Sequence, residues 1–165
     1  MFAVACTPES VKPVVAPAIP DPIIEPKTTD PAVPPARPDK VVVPEIVAPV
    51  LVALNKFRLA NGLSLLDFDN CLATAATGHA DAMAAADFFS HTGANGSSLS
   101  KRFSDVGYPW RLVAENITAG MQGGGEAVAV WIDSPRYKRN MLTEGVTHAG
   151  IGYSRVIPGP GKVVY

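Results

Sequence analysis

Proline sets the limits of this chain. Twelve of its 16 prolines lie in residues 1–50, recurring every one to six positions from Pro8 to Pro49. Each one removes a backbone donor, fixes φ and biases the residue before it toward extended geometry. Neither a helix nor a central strand survives that spacing. The only aromatic before Phe57 is Phe2, so nothing in this stretch offsets the entropy of ordering it. Residues 7–46 are therefore expected to be a disordered, semi-rigid spacer, reaching roughly 130 Å when extended. A tail with no role has the same composition. All 14 glycines lie at Gly62 or later, and folding is expected from residue 47 to residue 165.

Ahead of the spacer stands Met1-Phe2-Ala3-Val4-Ala5-Cys6. A short apolar run ending in a small residue and cysteine resembles the end of a bacterial lipoprotein signal. On that reading residues 1–6 are its remnant, Cys6 carries the lipid, and the spacer holds the domain away from a membrane.

Charge excludes one class of partner. The net charge is −1, and neither half of the chain carries a basic block, which argues against nucleic acid. No run of about 18 apolar residues exists to span a membrane. Two cysteines are too few for a disulfide framework, and Cys71, on a predicted helix, is expected near the core as a small apolar side chain.

The second half carries clear periodicities. Val47, Val50, Leu51, Leu54, Phe57 and Arg58 have helical spacing, ended by Asn61-Gly62. Asp69 or Asn70 caps a second helix with Leu72, Ala73, Ala76, His79, Ala80 and Met83 on one face. Ser97 or Ser98 starts a third, stopped at Gly107, and Glu126 opens a fourth that runs to about Ile132. Strands are expected over 112–119, 147–156 and 162–165. In the middle strand His148, Gly150 and Gly152 share one face, and Ala149, Ile151 and Tyr153 the other. Helices with a few strands and no regular alternation predict an α+β layered domain.

Within residues 51–156 the order of short motifs resembles the CAP superfamily of cysteine-rich secretory, antigen 5 and pathogenesis-related 1 proteins, in its bacterial SCP-like branch. The resemblance rests on Leu54-Asn55, Arg58, Gly62-Leu63, Leu72, Ala75-Ala76 and His79. It continues through Phe88-Phe89-Ser90-His91-Thr92-Gly93, Arg102, Gly107-Tyr108, Glu115-Asn116-Ile117 and Gly120. Trp131, Ser134-Pro135, Arg139-Asn140-Met141-Leu142 and Gly150-Ile151-Gly152-Tyr153 complete it. The family implies an α-β-α sandwich, with a small antiparallel sheet between helical layers and a cleft that in many members holds two histidines and acidic residues. Some members bind zinc, and lipid or sterol binding and protease activity have been proposed for others.

His91 matches the first cleft histidine and is a candidate metal ligand or general base, or else a histidine satisfied by its own loop. Glu115 matches the acid of the Glu-Asn-Ile motif. In an apolar strand it needs a partner, and His91 is the obvious one, whether the pair is functional or only pins strand to loop. Bacterial relatives usually read Ser-Pro-Gly-His-Arg. Here the run is Ser134-Pro135-Arg136-Tyr137-Lys138, so a phenol replaces the second histidine and Ser134 stands where other members have glutamate. If any metal binds, His91 and Glu115 hold it, which falls short of the three protein ligands of catalytic zinc; no cofactor is expected. His148 is the remaining candidate to supplement them. Arg136, Lys138 and Arg139 form a small basic cluster, either solvated or facing an anionic group. Asn116 is expected to bond its own loop.

The function implied is an extracytoplasmic, secreted or lipid-anchored module that binds a small apolar or glycan ligand through a cleft of His91, Glu115, Ser134 and Tyr137. Two alternatives stand beside it. One is a peptidase- or esterase-like hydrolase with His91 as base, Glu115 orienting it and Tyr137 donating to an oxyanion. The other is an envelope scaffold whose spacer sets reach.

Overall fold

The computed structural model describes the backbone of residues 2–5, then residues 43–121 and 123–154. Cys6, most of the proposed spacer and the strand expected over 162–165 lie outside the described residues. Among the described residues, those from Val43 to Ser154 belong to the fold. Val43 packs on the core, and the Pro44 carbonyl accepts from the backbone N–H groups of Val47 and Ala48 as the first helix begins.

The elements in order are β1 (Phe2–Ala5), α1 (Ala48–Ala60), β2 (Asp67–Phe68), α2 (Asn70–Ala86) and α3 (Leu99–Asp105), followed by β3 (Asn116–Thr118), α4 (Gly124–Asp133), α5 (Pro135–Met141), β4 (His148–Ala149) and β5 (Ile151–Ser154). The expected caps are in place. Asn61 closes α1, with Gly62 at φ +76° beyond it. The Asp69 carboxylate accepts from Leu72 N–H to start α2, and Ser98 Oγ accepts from Lys101 N–H to start α3. Helix α5 was not foreseen; Pro135 at its first position presets φ for a helical turn.

The layers are those of an α-β-α sandwich, and the alternation read from the sequence produces them. A Cβ on Gly150 would lie 2.1 Å from Leu72 backbone, and one on Gly152 2.1 Å from Ala76 backbone, so this face of β4–β5 meets α2 backbone to backbone. Ala149 and Ile151 face the other way, into a core shared with Val50 and Leu54 of α1, Val128 and Trp131 of α4, and Met141 of α5. A smaller cluster joins Leu72, Ala75 and Ala76 of α2 to Phe103 of α3 and Val113.

Strand direction differs from the antiparallel arrangement that the family resemblance implied. The order is β3-β1-β5, and β1 runs parallel to both neighbours, Ala3 standing opposite Ile117 on one side and Gly152 on the other. The β2–β4 pair is parallel as well. Helices occupy the connections between β2 and β4 and between β3 and β5, and crossovers of that length return the chain in the same direction. Residues 2–5, read from sequence as the end of a leader, here supply the middle strand.

Cys71 is a second correction: it is exposed. It stands in the first turn of α2, one position ahead of Leu72, which starts the buried face. No helix among the described residues is long and apolar enough to cross a membrane.

Candidate functional site

Helix α2 ends on Asp87, whose left-handed backbone (φ 54°, ψ 49°) turns the chain out of the helix. The loop that follows is held from beneath by His79, buried on α2. Its Nε2–H donates to the Ser90 carbonyl at 2.8 Å, and its ring meets Phe88 edge-on. Burial keeps the His79 pKa below the ordinary histidine value. One residue further along, His91 Nδ1 lies 2.6 Å from Glu115 Oε1, across 24 positions of sequence.

Glu115 lies just before β3 and is 4% exposed. Its second oxygen, Oε2, accepts from Arg102 Nη2 at 2.8 Å. Arg102 projects from α3, and its Nη1 donates to the carbonyls of His91 and Ser97. One guanidinium thus holds the carboxylate and both ends of the loop bearing the imidazole. Burial alone would raise the Glu115 pKa. The hydrogen bond from His91 and the positive field of Arg102 outweigh it and hold the carboxyl below the usual carboxylate range. An ionised carboxylate only accepts, so the hydrogen of this contact sits on His91 Nδ1.

Tyr137, on α5, packs beside this pair, its ring centroid 6.4 Å from that of His91. It is 4% exposed, and burial together with the Glu115 charge pushes its pKa up to about 12. The hydroxyl of Tyr137, Nε2 of His91 and Nε of Arg102 are buried without a hydrogen-bond partner among the described residues. Helix α5 is tied to β3 by two amides. Asn116 Nδ2 donates to the Tyr137 carbonyl, and Asn140 Nδ2 donates to the Glu115 carbonyl and to Asn116 Oδ1. Asn116 is therefore structural, but it reaches across to α5 instead of bonding its own loop.

Of the four predicted cleft residues the structure brings three together: His91, Glu115 and Tyr137. Ser134 sits at the junction of α4 and α5, where its carbonyl accepts from Lys138 N–H. His148 belongs elsewhere, its Nδ1 2.8 Å from Thr147 Oγ1 and its ring against Tyr108. Sequence reasoning missed Arg102 and His79 as parts of the cluster. Both stand in the motifs quoted above, and a buried carboxylate calls for a cation; what was hidden was that α3 delivers Arg102 to Glu115.

Glu115 and Tyr137 are poor zinc ligands as they stand. Both Glu115 oxygens are engaged, one of them by a cation that would repel a second, and the phenol of Tyr137 resists ionisation. Among the described residues no group of three or more His, Cys, Asp or Glu is placed to hold a metal.

The model of the cysteine-rich secretory protein family, CAP, matches residues 51–164. This chain belongs to the CAP family. Its CAP domain is 30% identical over 106 residues to YlbC, an uncharacterized membrane protein of Bacillus subtilis strain 168, covering 64% of this chain and 31% of that protein. It is 28% identical over 104 residues to YkwD, an uncharacterized protein of the same strain, covering 63% of this chain and 40% of that protein. A crystal structure of an extracellular SCP-domain protein from Bacillus anthracis strain Ames superposes with a TM-score of 0.62 at 30% identity, covering 64% of this chain and 35% of that one. The chain thus spans between about a third and two fifths of the length of each of these relatives.

Two cavities flank the segment 112–114 that leads to Glu115. One, of about 180 Å³, is lined by Phe103, Tyr108, Trp110, Arg111, Asn140 and His148 among others. The other, of about 440 Å³, lies against α5 and has Leu112, Val113 and Leu142 in its wall with Lys138 and Arg139. His91, Glu115 and Tyr137 line neither.

Proposed function

We propose that the CAP domain is an extracytoplasmic, non-catalytic binding module, with its ligand seated beside segment 112–114 and not on the His91–Glu115 pair. One observation carries this reading. Every hydrogen-bonding oxygen of the Glu115 carboxylate is already committed, to His91 and to Arg102, while the cavities lie to the side of the cluster. The cluster then acts as a polar clasp joining α2, α3 and β3. That YlbC is a membrane protein and the Bacillus anthracis relative extracellular supports a place outside the cytoplasm.

The test is a panel of fatty acids, sterols and saccharides titrated into the full chain, run beside peptidase and esterase assays. Saturable binding that survives His91→Ala, with no turnover, is the expected result. Turnover that His91→Ala abolishes overturns the reading.

That outcome would favour a second one, hydrolysis. Its support is the pair of unpartnered buried atoms, His91 Nε2 as proton acceptor and the Tyr137 hydroxyl as donor. A carboxylate behind Nδ1 is the arrangement that orients a general base.

A further inference from the structure

We propose that the smaller cavity binds one saccharide ring, stacked on Trp110. This rests on the binding reading above and names its ligand class.

The groups that line the cavity carry the argument. Trp110 Nε1 donates to Ser104 Oγ at 3.2 Å, so the indole N–H is spent and what Trp110 offers a ligand is its ring. Behind it Phe103, Tyr108 and His148 form an edge-to-face series, with centroids 6.1 Å apart at each step, which stiffens that wall. Two polar groups complete the rim. Arg111 is exposed and brings a planar set of donors. Asn140 has both amide hydrogens committed, to the Glu115 carbonyl and Asn116 Oδ1, leaving its Oδ1 to accept.

An aromatic ring, a donor and an acceptor at one mouth match a molecule with an apolar C–H face and hydroxyls round its edge. A fatty acid could pair its carboxylate with Arg111, but its chain would leave the Asn140 oxygen unanswered, and covering that acceptor without a partner is costly. A volume of about 180 Å³ seats one ring, so a disaccharide would place one ring on Trp110 and leave the other in solvent.

The experiment uses tryptophan fluorescence of the full chain. There are two tryptophans, and Trp131 is 0% exposed, so a ligand-induced change reports Trp110. The probes are the β-1,4-linked disaccharide of N-acetylglucosamine and, separately, decanoate. Saturable quenching by the disaccharide, weakened about tenfold or more by Trp110→Ala (followed calorimetrically) and by Arg111→Ala, supports the proposal. Arg111 is exposed, so its variant remains informative if Trp110→Ala is unstable. Disaccharide binding untouched by Arg111→Ala overturns the site. Quenching by decanoate alone overturns the ligand class and leaves the binding reading standing. Silence with both probes, together with an empty ligand panel, overturns both.

Discussion

Removing the Arg102 guanidinium leaves the Glu115 carboxylate buried without its cation. Arg102→Ala is expected to cost about 3–5 kcal/mol, the usual effect of breaking one side of a buried ion pair. Urea unfolding measures it, and a loss under 1 kcal/mol would mean that the pair is solvated. The same cluster sets the response to pH. Glu115 and His79 both have folded pKa values below their unfolded ones, so the unfolded chain binds more protons and stability falls as the medium is acidified. The His79 contribution is in place above about pH 6.5 and the Glu115 contribution above about pH 4.3, each being lost below. Tyr137 has the opposite sign. Its pKa rises from about 10 to about 12, so its contribution is complete below pH 10 and is lost as pH climbs from there. Unfolding free energies measured from pH 3 to pH 11 should show a plateau between about 7 and 10 with a fall on both sides. Tyr137→Phe should remove the alkaline fall. It should also stabilise the fold by about 1 kcal/mol, because the hydroxyl it deletes is buried without a partner.

Two contacts between elements fix where the cluster sits. Asn140→Ala would untie α5 from the Glu115 carbonyl and from Asn116, and is expected to cost about 1–3 kcal/mol, with faster amide exchange confined to α5 and β3. Gly152→Ala would drive a methyl into the backbone of Ala76 and Thr77 on α2; a loss of about 1–3 kcal/mol in denaturant is expected, and no loss would mean that helix and strand can part. The helices were legible because their ends are written locally: Asp69 and Ser98 as N-caps, Gly62 and Gly107 with positive φ past the C-termini. So was the pairing of His91 with Glu115, since an acid between apolar neighbours must find a partner. Helix α5 was not legible, because Arg136-Tyr137-Lys138-Arg139 reads as a charge cluster and only the burial of Tyr137 and Met141 gives it a facing side. Nor was the exposure of Cys71, since helical spacing assigns a face but not the point at which the partner ends. Strand direction depends on which segments meet, and no local pattern in Phe2–Ala5 points to β3 and β5.

Across the whole molecule the buried polar cluster and the open cavities are neighbours joined by one stretch of chain, residues 112–115. Asn140 touches both, lining the smaller cavity and holding the Glu115 carbonyl. The sheet behind them draws its middle strand from the opposite end of the sequence, and that strand stops at Ala5, one position before Cys6. Leaders are cut away on maturation. Cleavage ahead of Cys6 for acylation would discard Phe2–Ala5 and part β3 from β5, so a lipid at that cysteine and this three-stranded sheet exclude one another. Intact mass spectrometry of the membrane-associated protein would tell which of the two forms a cell makes.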